Sequence, residues 1–112
     1  MNVICYVTCK SEREAHKIAK ALLKKRLVGC ANIVPRIHSF YWWKGKILEE
    51  EPESLLLLKT TKGKEEKIIR EIKKIHSYSV PCIEFLEVKK ASREYSAWLG
   101  RETRVKKHEK PR

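Results

Sequence analysis

The chain has no aspartate and no glutamine, a single methionine, and only four glycines and four prolines in 112 residues. All 14 acidic residues are therefore glutamate, set against 26 Lys and Arg for a formal net charge of +12. A Lys/Glu-rich composition poor in thermolabile amides points to a hot habitat. No apolar run approaches the roughly 20 residues that a membrane helix requires. Met1-Asn2 and the short apolar run Val3–Val7 do not resemble a secretory leader, so the chain reads as cytoplasmic. Cys5, Cys9, Cys30 and Cys82 form no C-x-x-C pair, which excludes the two-cysteine loop of a copper carrier. G-x-S-x-G, H-E-x-x-H and a full P-loop are missing too, and the reading is non-enzymatic. The charge alone invites nucleic acid, but the RNP1 pattern is absent, so no specific nucleic-acid partner is expected. No membrane partner is expected either.

What is present suffices for one domain: 42% apolar residues and a 36% charged surface. Val3–Val7 reads as a strand. Ser11, with Glu14 three residues on, is a capping-box start for a helix whose stripe is Ala15, Ile18, Ala19, Leu22 and Leu23. Gly29 is suited to a left-handed stop. Cys30–Val34 is a strand broken by Pro35, Ile37–Trp43 an aromatic continuation, Lys44-Gly45 a turn, and Glu49–Pro52 a solvated break. Leu55–Lys59 forms the next strand. Thr60–Gly63 leads into a helix bearing Ile68, Ile69, Ile72 and Ile75, Cys82–Val88 is the last strand, and Ser92 caps a short helix with Tyr95, Trp98 and Leu99. The order βαββαβ with a helical coda predicts an α+β, ferredoxin-like fold with a long β-hairpin and a short C-terminal helix. Residues 1–100 form the single domain and 101–112 a basic tail.

Alternation along the strands makes both sheet faces apolar. Val3, Cys5 and Val7 oppose Ile4 and Tyr6, and Leu55 and Leu57 oppose Leu56 and Leu58. Two amphipathic helices cover one face. A second copy of the chain, or the C-terminal helix folded back, must cover the other. Homo-oligomerisation is the expectation.

Three stretches are similar to those of a known family: Gly29-Cys30-Ala31-Asn32-Ile33-Val34-Pro35, Ser39-Phe40-Tyr41-Trp42-Trp43-Lys44-Gly45-Lys46-Ile47, and Glu53 through Lys59-Thr60. With His76-Ser77-Tyr78-Ser79-Val80-Pro81 and Tyr95-Ser96-Ala97-Trp98, they make the chain resemble the CutA family, the divalent-cation tolerance proteins, from about Val3 to Leu99. The resemblance implies a ferredoxin-like protomer assembled as a homotrimer through the edge strands of its hairpin. It implies a cytoplasmic role in divalent-metal response, with copper the metal most often named, and an architecture like that of the PII signalling trimers. The family commonly carries Glu where this chain has Ser79 and Cys82. Two oxygen ligands are thereby lost and a thiol gained, which moves metal preference toward copper(I) or zinc.

The candidate metal ligands are Cys30, His76, Cys82 and Glu53, by residue type rather than by spacing. Cys5 and Cys9, four apart across a strand end, are read as diverging. A second candidate is a pocket or interface between subunits built from Tyr41, Trp43, Lys59, Tyr78, Tyr95 and Trp98, aromatic walls with a few polar heads. It leaves open a small anionic ligand, as in PII-like modules, or a trimeric scaffold as the whole function. The helix starts at Thr60–Lys64 and Thr8–Ser11 could attract an anion, but ordinary capping explains them.

Overall fold

The computed structural model describes residues 1–104. The chain runs β1 (Asn2–Cys9), α1 (Glu12–Lys24), β2 (Cys30–Trp43), β3 (Lys46–Thr61), α2 (Glu65–Ile75), β4 (Ile83–Glu87) and α3 (Arg93–Glu102). The four strands form one antiparallel sheet in the order β2-β3-β1-β4. This is the split βαβ arrangement that the strand and helix order predicts.

The core lies on one face. Val3, Cys5, Val7 and Cys9 alternate inward along β1, opposite Leu56 and Leu58 of β3. They pack under Ala15, Ile18 and Leu22 of α1 and Ile68 and Ile72 of α2. The opposite face carries Ile4, Tyr6, Leu55 and Leu57, all half-buried. There α3 lies over one end. Asn2 Nδ2 donates to Ser96 Oγ at 3.2 Å, and the Lys59 ammonium sits 5.7 Å from the centre of the Tyr95 ring. α3 does not reach the hairpin, where Phe40, Trp42 and Ile47 are 66%, 70% and 63% exposed.

Several local expectations are corrected. Pro35 does not break its strand and Glu49–Pro52 is not a gap: β2 and β3 run through both. The register explains why. Val34 pairs with Leu55, Ile37 with Glu53 and Ser39 with Glu50, so each proline lies within a β-bulge where no ladder N–H is needed. Ser54 Oγ donates to the Pro35 carbonyl at 2.7 Å and closes the first bulge. The turn at Lys44-Gly45 forms as expected, both residues at positive φ (51° and 80°), the two-residue hairpin geometry.

Gly29 is not the left-handed stop of α1, since Arg26 takes that conformation at φ 57°. Gly29 is needed for space instead: a Cβ there would come within 2.8 Å of Leu99 Cδ1, a side chain itself buried. Gly29→Ala is therefore expected to lower stability by about 1–3 kcal/mol through overpacking, and a denaturant melt beside wild type measures it.

The domain boundary expected at residue 100 falls inside α3, which continues to Glu102. Thr103 beyond it is buried, donates to the Leu99 carbonyl at 2.8 Å, and lies 3.2 Å from Thr61 Oγ1. Within the expected basic tail, residues 105–112 lie outside the described residues.

Candidate functional site

Where β1 ends, the hairpin leaves the sheet and the segment after α2 crosses it. These three elements border an open cleft of about 800 Å³. Tyr41, Trp43 and Leu48 wall it on the hairpin side, and Tyr78 and Cys82 on the other. Glu50 and Glu53 are the charged side chains lining it, and no Lys, Arg or His does so among the described residues.

Both carboxylates are positioned by tyrosines. Tyr41 Oη donates to Glu50 Oε1 at 2.9 Å, and Tyr78 Oη donates to Glu53 Oε2. Glu53 is only 4% exposed, placed inward by the second bulge. Burial and the bond to Glu53 push the Tyr78 phenol well above its usual range, so it remains a donor. Cys82 lies 3.7 Å from Glu84 Oε1, and burial together with that carboxylate raises its thiol.

The predicted ligands do not come together within one protomer. Glu53 and Cys82 reach the cleft. Cys30 does not: it pairs with Lys59, which is level with Ile4, whereas His76 bonds the carbonyl of Thr8. Four residues of strand separate those levels, roughly 13 Å. The pocket residues divide likewise. Tyr41, Trp43 and Tyr78 line the cleft, while Lys59, Tyr95 and Trp98 gather beside α3. There the buried Tyr95 hydroxyl faces the Cys30 thiol and, among the described residues, has no oxygen or nitrogen partner.

Behind the cleft wall lies a cluster that sequence reasoning missed. Cys9, Glu14 and His76 bring one ligand atom each within 4.8 Å of one another. Cys9 does not diverge from Cys5 as their spacing suggests: both point into the core from alternate positions of β1. The Ser11–Glu14 spacing makes Glu14 the reciprocal arm of a capping box. Its amide is indeed capped by Ser11 Oγ at 3.1 Å. Its own carboxylate reaches elsewhere, accepting from the Lys10 amide at 2.9 Å and, across the fold, from the Ser77 amide at 2.7 Å.

Burial works to raise the Glu14 pKa. The Lys10 and Ser77 hydrogen bonds outweigh it and hold the carboxyl below its usual range. Burial, with Glu14 and Glu53 adding to it, pushes the Cys9 thiol up to about 12. At the start of α1 the chain's own groups thus take the Lys10 amide, on the Glu14 carboxylate, and the Glu14 amide, on the Ser11 hydroxyl. At the start of α2, Glu65 does the same for the Gly63 amide at 2.8 Å.

Residues 3–102 match the family model described as CutA1 divalent ion tolerance protein. The chain is 42% identical over 103 residues to the divalent-cation tolerance protein CutA of Thermus thermophilus, covering 92% of this chain and 99% of the relative. The corresponding protein of Pyrococcus horikoshii is also 42% identical, with 91% and 98% covered. A solved structure from Archaeoglobus fulgidus, described as a periplasmic divalent cation tolerance protein CutA, matches with a TM-score of 0.89 at 36% identity, over 93% of this chain and 100% of that one. Among the described residues, no helix is long and apolar enough to cross a membrane.

Proposed function

The chain belongs to the CutA1 divalent ion tolerance family, and from that premise we propose that it is a non-enzymatic homotrimer that binds or senses a divalent cation in the cleft at the base of its hairpin. The observation that carries this reading is the charge of the cleft. Glu50 and Glu53 are its charged lining, with phenol, hydroxyl and thiol groups beside them. A cation is attracted there, whereas the small anion of a PII-like module would meet two carboxylates. Glu50, Glu53 and Cys82 offer oxygen and sulfur donors around the cleft; among the described residues their ligand atoms do not converge as a group of three, so an ion would draw them together on binding. Copper, the tightest-binding of the first-row divalent ions, is the first to test.

Assembly is supported by the uncovered apolar surface. Phe40, Trp42 and Ile47 stand exposed on a ribbon whose outer strand, β2, is also the edge of the sheet. Such an edge pairs readily with another chain. Four free thiols suit a reducing compartment, in keeping with a cytoplasmic role.

Sedimentation should give a particle of three times the 13.2 kDa protomer mass. Calorimetry on the reduced protein should give saturable copper binding, weakened at least tenfold by Glu53→Gln. A lone folded protomer refutes the trimer. No heat with copper or zinc, together with a melting shift on adding nucleotides, transfers the case to the PII-like reading. No response to either leaves the trimeric scaffold.

A further inference from the structure

The corner where β1, the start of α1 and the end of α2 meet holds ligand groups that the cleft does not use. Cys9 is fully buried, Glu14 is 8% exposed, and the His76 side chain has no exposure. The histidine is arranged as metal-binding histidines are. The Tyr78 amide, which can only donate, bonds Nδ1 at 3.1 Å, so Nδ1 carries no proton. The proton is on Nε2, which donates to the Thr8 carbonyl at 2.9 Å and fixes the ring.

Nδ1 and Glu14 Oε2, both acceptors, thus lie 3.9 Å apart, held by the Tyr78 and Ser77 amides respectively. Cys9 Sγ lies beside both. Both acceptors already hold an amide donor, so an arriving cation would exchange those hydrogen bonds for coordination and gain the thiolate as a third ligand.

The geometry points to a binding site for one borderline-soft divalent cation of the zinc class, held by Cys9 Sγ, Glu14 Oε2 and His76 Nδ1 within a single protomer. Charge selects the valence. One thiolate, one carboxylate and a neutral imidazole balance a dication, so the filled site adds no net charge to the interior. The donor set selects the class, because magnesium and calcium take oxygen ligands whereas sulfur with imidazole suits zinc.

Zinc bonds of about 2.0–2.3 Å place tetrahedral ligands roughly 3.3–3.6 Å apart, so the three atoms must close by on the order of 1 Å. Coordination forms the metal–sulfur bond and expels the thiol proton to solvent. At Nδ1 the metal takes the place of the Tyr78 amide. A fourth position stays open to water. Sequence reasoning named only His76 of the three, because the ligands come from positions 9, 14 and 76 on three separate elements.

Cobalt(II) titrated into reduced full-length protein is the test. We expect a thiolate-to-cobalt charge-transfer band and intense four-coordinate visible bands at one equivalent per protomer, both bleached by zinc. The signal should persist in a Cys30→Ser/Cys82→Ser variant and in Glu53→Gln. Cys9→Ala should abolish the charge-transfer band, and Glu14→Gln should weaken zinc binding at least tenfold with circular dichroism unchanged.

If Cys9→Ala does not fold, zinc-edge X-ray absorption on the Cys30→Ser/Cys82→Ser variant reads the same point, one sulfur among the ligands being expected. Overturning results are a wild type without thiolate charge transfer, a zinc shell without sulfur, or a band that survives Cys9→Ala and vanishes with Cys82→Ser. The last would place the ion in the cleft. Loss of copper heat in Glu53→Gln bears only on the cleft, so the two sites succeed or fail separately.

Discussion

Leu58→Ala should lower the free energy of unfolding by about 2–5 kcal/mol, among the largest effects of any single truncation in this chain. Leu58 is fully buried in the second strand from the sheet edge, opposite Cys5 on one side and Ala31 on the other. Above it lie Ile18 and Leu22 of α1 and Ile68 and Ile72 of α2, in the same apolar cluster. Strands on both flanks hold the backbone, so the void left by the isobutyl group cannot collapse, and the lost packing adds to the lost transfer energy. Guanidinium melts at a fixed protomer concentration, where assembly contributes equally, measure the difference. Leu57→Ala is the control. One residue along, it turns to the half-buried face and should cost the protomer less. A loss below about 1 kcal/mol for Leu58→Ala would mean that the helices settle onto the sheet and fill the gap.

Glu14→Ala should cost about 2–4 kcal/mol, since it strands the Lys10 and Ser77 amides in a partly buried corner. The same carboxylate gives an acid dependence of known sign. Its pKa is lowered on folding, so the native state favours the ionised form. The stabilisation is fully present above the unfolded value, about 4.3 for a glutamate, and is lost as pH falls through the lower folded value. Wild-type stability should therefore decline on acidification below about pH 4.3. Glu65 and Glu71, whose pKa values are also lowered, add to the decline. Glu14→Gln cannot titrate there. The gap between wild type and Glu14→Gln, measured in denaturant melts from neutral pH downward, should narrow over that interval. A gap that stays constant would show that Glu14 acts through shape rather than charge.

Most of the architecture was written locally. The i, i+3, i+4 stripe from Ala15 to Leu22, the Ser11 and Ser92 caps and the Lys44-Gly45 turn each act over a few residues and appear where expected. Alternation in β1 and in Leu55–Leu58 correctly sorted the side chains into two faces, but which face the helices cover was not legible in it. The misreadings are of positions where distant chain decides. Pro35 and Pro52 look like strand breakers until pairing with the opposite strand places each in a bulge of its own strand, where no proline N–H is needed. Gly29 looks like a helix stop until Leu99, 70 residues on, occupies the space of its absent Cβ. The candidate site follows the same rule. Glu53 and Cys82 were legible as ligand types, but their distance from Cys30 is set by strand register, which residue type does not encode. Glu14 carried a strong local signal, the capping box, that concealed its longer reach to Ser77.

The two bulges of the hairpin have opposite sense, one adding a residue to β2 and the other to β3. Their offsets cancel, so beyond Ser39 the ribbon regains the phase it had at Val34. A one-residue deletion at Pro35 alone would turn over the whole distal ribbon, exchanging the faces that Phe40 and Trp42 on one side and Tyr41 and Trp43 on the other now present. A matching deletion at Pro52 would restore it. Tolerated changes in hairpin length should thus arrive as compensating pairs, one on each strand.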